Sequence, residues 1–90
     1  MLQGDHYYLA PVPEPLNPER HPYVAECGDI IEALDMTFAE GEAFKALWRG
    51  AAARQGRAKG TDPVYDADKV KHFGTRVAAH IRARIKRGAK

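Results

Sequence analysis

Apolar residues recur at helical spacing through most of this chain, and the places where the spacing breaks divide it into elements. Val24, Cys27, Ile31 and Leu34 follow at intervals of three, four and three, with Ile30 beside them and Glu26, Asp29 and Glu32 on the opposite side. The pattern predicts a first helix over about 24–35, with Gly28 weakening it by up to roughly 1 kcal/mol relative to alanine. The break falls at Met36 and Thr37, and Thr37-Phe38-Ala39-Glu40 has the form of a capping box that opens a new helix. Phe44, Leu47, Trp48 and Ala51 give that second helix, over about 38–55, its apolar stripe, with Glu42, Lys45 and Arg49 sharing the other face and Gly56 as its stop. Thr61, Asp62 and Pro63 supply a cap and a first-turn proline for a third helix over about 63–87, along which Val70, Phe73, Val77, Ile81 and Ile85 step by three or four.

The first 22 residues behave differently. Pro11, Pro13, Pro15, Pro18 and Pro22 each remove a backbone donor and push the preceding residue toward extended geometry, so residues 11–22 cannot be helical. The division is an extended proline-rich arm over 1–22 and a helical domain over 23–90. No strand signal is evident, and the expected fold is all-α: a compact three-helix domain behind an extended arm.

Ninety residues build one thin core, so helices with an uncovered face find a second copy, and a homo-oligomer is expected. Cys27 is the only cysteine, which excludes an internal disulfide. No segment approaches the roughly 20 apolar residues of a membrane span, and Met1–Ala10 lacks the pattern of a secretory signal. A cytoplasmic protein without a membrane partner is the reading these features give.

Charge sharpens the picture. Residues 1–42 carry nine of the twelve acids and one base, Arg20, whereas residues 43–90 carry thirteen of the fourteen Lys and Arg residues. Either the halves face each other or the basic half meets an anionic partner. Lys69, Lys71, Arg76, Arg82, Arg84, Lys86 and Arg87 lie on the third helix, where they would hold nucleic acid by releasing its counterions; a solvated basic helix end explains them equally well. The loop Gly56-Arg57-Ala58-Lys59-Gly60-Thr61 leads into a helix start, as a phosphate cradle does, although its order is not that of a phosphate-binding loop. On the second helix, Lys45 and Arg49 beside Trp48 form a candidate anion site, against the plainer reading of exposed helical charge pairs. His72 and His80 are about 12 Å apart along a helix, too far to share a metal ion, and no cofactor is indicated. Cys27 falls on the core side of its helix, where a thiol acts as a small hydrophobe.

The segments Asp29-Ile30-Ile31-Glu32-Ala33-Leu34 and Gly41-Glu42-Ala43-Phe44-Lys45-Ala46-Leu47-Trp48-Arg49-Gly50-Ala51, with Phe38 between them and a Lys-Gly loop and a further helix after them, carry a resemblance. The chain resembles a small bacteriophage domain family that includes the lactococcal phage SaV protein and part of the early nucleotide kinase of T-odd coliphages. His6-Tyr7 fits the histidine-tyrosine that opens many of its members. Glu42 stands where the family usually has asparagine, and His72-Phe73-Gly74 where it has an aromatic-rich segment. The resemblance implies a phage or prophage accessory protein in a bacterial host cytoplasm, linked to nucleotides or nucleic acid. It singles out His6, Tyr7, Lys45, Trp48, Arg49 and Lys59 as ligand-binding positions.

Three functions follow. The first is a module that binds a nucleotide or nucleic acid through a basic helical surface. The second, resting on the resemblance, is an enzyme resembling a nucleoside monophosphate kinase, with Asp62, Asp66 and Lys59 as candidates for magnesium and phosphate contacts. No catalytic constellation is spelled out, so the reading leans away from catalysis. The third is an inhibitor of a host defence or replication factor, acting through the acidic half.

Overall fold

The computed structural model describes residues 8–57 and 62–88. Five elements follow in order: β1 (Leu9–Val12), β2 (Tyr23–Glu26), α1 (Cys27–Ala33), α2 (Phe38–Arg54) and α3 (Pro63–Lys86). Helix dominates as expected, but the fold is not all-α.

The correction lies in the arm. β1 and β2 pair antiparallel, with Leu9 opposite Glu26 and Val12 opposite Tyr23. A two-stranded ribbon consists of edges only, so Pro11, opposite Val24, is tolerated in β1 without a backbone donor. Between the strands the chain turns at Asn17, whose side chain accepts from the Glu19 amide at 3.0 Å while its carbonyl accepts from the Arg20 amide at 3.0 Å. Arg20 then lays its guanidinium 3.7 Å from the centre of the Tyr23 ring. The segment from Val24 to Glu26, expected to open the first helix, completes this hairpin instead, and Val24 is exposed.

α1 starts at Cys27, which is buried as its spacing predicts. It ends in a Schellman arrangement: Met36 N–H donates to Ile31 O at 3.0 Å and Asp35 N–H to Glu32 O at 3.1 Å, with Asp35 in the left-handed region at φ 52°. The capping box of α2 forms as expected, with Thr37 Oγ1 accepting from Glu40 N at 3.2 Å and Glu40 Oε1 accepting from Thr37 N at 2.9 Å. Gly56, at φ 79°, ends α2, and Asp62 caps α3 by accepting from the Val64 amide at 2.9 Å.

α2 and α3 run antiparallel and form the main contact of the fold. Phe38, at the start of α2, meets Phe73 edge to face at 5.8 Å, while Arg49, near its end, meets Asp66 in the first turns of α3. α1 lies against α2 at Gly41, where a methyl group would come within 3.5 Å of Ile31 Cγ2. Among the described residues the buried apolar side chains are small: Cys27, Ala39, Ala46 and Ala52. Leu34 and Leu47, expected on core-facing stripes, are 67% and 58% exposed. Between α2 and α3, the contacts Arg49–Asp66 and Glu42–Lys69 occupy the seam instead of Leu47.

Candidate functional site

Of Glu42, Lys45 and Arg49, read from the sequence as a polar outer face, Glu42 and Arg49 make contacts with α3, while Lys45 pairs with Glu42 along α2. Arg49 donates from Nε (3.0 Å) and Nη2 (2.7 Å) to the same oxygen, Asp66 Oδ1, and from Nη1 to the Tyr8 hydroxyl at 3.1 Å. The pair is sequestered, with side-chain exposures of 15% for Arg49 and 4% for Asp66. The Arg49 pKa is raised further above its ordinary value, chiefly by the bond to Asp66, against the opposing effect of burial and with help from Tyr8. Asp66 Oδ2 is buried with no hydrogen-bond partner.

About two turns earlier on α2, Glu42 binds two cations. Lys69 Nζ lies 3.4 Å from Oε1, and Lys45 Nζ lies 3.6 Å from Oε2. Lys69 also sits 5.5 Å and 5.8 Å from the ring centres of Tyr65 and Phe73. Cys27 lies close enough to feel Lys45 and Arg49; burial pushes its thiol pKa up, and these two cations pull it down. Trp48 is half-buried and tilts against Phe44 at 5.8 Å.

These contacts decide what the inner cluster offers a ligand. Lys45 and Arg49 both lie near Cys27, but each already has a carboxylate, so an incoming anion would have to displace Glu42 or Asp66. The carboxylates considered for phosphoryl transfer are engaged as well: Asp62 caps α3 and Asp66 holds Arg49. His6, Tyr7 and Lys59 lie outside the described residues.

The second candidate surface is the basic C-terminal two-thirds of α3. Lys71, Arg76, Arg82, Arg84, Lys86 and Arg87 are exposed, and none forms an ion pair with a carboxylate among the described residues. Lys69, grouped with them from the sequence, is held by Glu42 instead. The last turns of α3 reach the start of α2, where His80, Arg84 and Arg87 surround a hollow beside Thr37 and Glu40.

Tyr8 and the structural role of Asp66 were not singled out from the sequence. Asp66 carried a signal: it stands four residues before Val70 and seven before Phe73, so it continues the buried stripe and requires a cationic partner. Tyr8 carried none, because its partner, Arg49, is 41 positions away. No protein-family model, curated protein or solved structure matches the chain. No helix among the described residues is long and apolar enough to cross a membrane.

Proposed function

We propose that the chain is a binding module that holds a nucleic-acid backbone along the cationic C-terminal two-thirds of α3, as an accessory protein of a phage or prophage. One observation carries the reading: six cations from Lys71 to Arg87 stand exposed without carboxylate partners among the described residues, whereas Lys45, Arg49 and Lys69 of the inner cluster are neutralised. The six span about 24 Å of helix at 1.5 Å per residue, enough to follow several phosphates. A cation already paired releases few counterions when it meets a phosphate. An unpaired one contributes fully. The resemblance noted in the sequence supports the phage setting and the link to nucleotides.

Aromatic side chains do not alternate with these cations on α3, which favours contact with the backbone over stacking on bases. Binding is then expected to depend little on sequence and strongly on salt. Fluorescence anisotropy with labelled DNA and RNA oligonucleotides over a salt series tests it.

A further inference from the structure

We infer that the cationic stretch of α3 holds single-stranded nucleic acid in preference to duplex, with one unpaired base stacked on Phe38 at the start of α2. The inference rests on the nucleic-acid reading above and goes beyond it, because the stacking ring comes from a different helix than the cations.

His72, Arg76, His80 and Arg84 follow one another at intervals of four on α3, so they form one exposed ridge along the helix. The first turn of α2 lies beside that ridge. Between them is a hollow of about 400 Å³ whose walls include Phe38, His72, Phe73, Arg76 and His80, with no carboxylate among the described residues lining it. The one acid nearby, Glu40, lines the next hollow along, beside Arg84 and Arg87, and its Oε1 is already bound to the Thr37 amide.

A stacking platform needs a ring that is both held in place and open on its surface. Phe38 meets both conditions: it is 76% exposed, yet its ring packs edge to face on the half-buried Phe73 at 5.8 Å, and His72 meets Phe73 in the same manner at 4.8 Å. A base laid on Phe38 covers apolar surface that the chain alone leaves in water. Arg76, in the same hollow, then lies within reach of the phosphates flanking that base, and Arg84 and Arg87 lie further along the ridge for those that follow. Charge alone argues for the opposite preference, since a duplex carries more phosphate charge per unit length than a single strand. A duplex base is already stacked on both sides, and bringing it to Phe38 costs its pairing. A preference for single strands therefore reports the ring and not the cations.

Fluorescence anisotropy at one salt concentration tests this, with a labelled oligothymidylate and a labelled duplex of the same length as probes. The wild-type chain is expected to bind the single strand about tenfold tighter than the duplex. Phe38→Leu keeps an apolar side chain beside Phe73 but removes the ring; it is expected to weaken single-strand binding about tenfold and to leave duplex binding unchanged. Phe38→Trp should retain the wild-type preference, and Leu16→Ala, at a fully exposed position in the turn between the strands, should alter neither affinity. Circular dichroism checks the fold of each variant, and the wild-type ratio of the two affinities needs no variant at all. Equal affinity for the two probes, or a single-strand affinity that Phe38→Leu leaves unchanged in a folded chain, overturns this inference while the backbone reading stands. Absence of binding to either probe overturns both.

Discussion

Arg49 Nη2 lies 2.7 Å from Asp66 Oδ1, and this contact joins the end of α2 to the start of α3 deep in the protein. Two N–H groups of one guanidinium meet a single carboxylate oxygen, while the remaining nitrogen, Nη1, donates to Tyr8 and so ties the segment leading into β1 to the helices. Arg57 adds a longer contact of 3.4 Å to the Leu9 carbonyl. Removing either member of the pair leaves a buried charge unmatched. Arg49→Met and Asp66→Asn are each expected to cost about 3 kcal/mol in urea denaturation, with the double variant losing less than the sum. Costs that add fully would show the two side chains to be uncoupled.

Helix ends offer a second, smaller measure. Thr37→Ala removes the capping box of α2 and is expected to lower stability by about 1 kcal/mol. Asp35→Gly relieves a left-handed residue at the end of α1 and is expected to raise stability by about 1 kcal/mol. Thermal unfolding of the two variants should shift in opposite directions.

Cys27 is buried, and burial raises its thiol pKa. Iodoacetamide should therefore modify the folded chain far more slowly than the urea-unfolded chain at neutral pH. The sign of the pH effect follows. While the thiol is protonated in both states it does not oppose folding; as pH rises past the ordinary value of 9.0, the unfolded chain ionises first and the fold loses stability. Cys27→Ala should flatten that alkaline loss, measured by denaturant midpoints over a pH series.

The parts of the fold set by local chemistry were legible in the sequence. Thr37 with Glu40, Asp62 with Pro63, and Gly56 fix helix ends through contacts a few residues apart, and α2 and α3 begin and end within a residue or so of expectation. The hairpin was not legible, because its pairing joins residues on either side of a proline-rich turn, and Pro11 argues against a strand unless that strand is an edge. Val24 illustrates the ambiguity: it stands three before Cys27 and suits a helical stripe, yet it belongs to β2. The candidate site was misread for a related reason. Glu42 and Arg49 look like part of a solvated face until Lys69 and Asp66, from a helix distant in sequence, supply their partners, whereas the Glu42–Lys45 pair is the local helical charge pair the spacing implies. The cations of α3 past Lys69 needed no such partner, and their exposure agrees with what their positions imply.

The salt dependence of nucleic-acid binding bears most directly on the proposed function. For the wild-type chain, the logarithm of the affinity is expected to fall with the logarithm of salt at a slope of about −3 to −5, as for four or five phosphate contacts on duplex DNA. Arg82→Gln and Lys86→Gln should each reduce the slope by about 1 without changing the fold, whereas Lys45→Gln should leave it unchanged. No binding at low salt, or a slope that the α3 substitutions do not alter, would contradict the assignment of α3 as the binding surface.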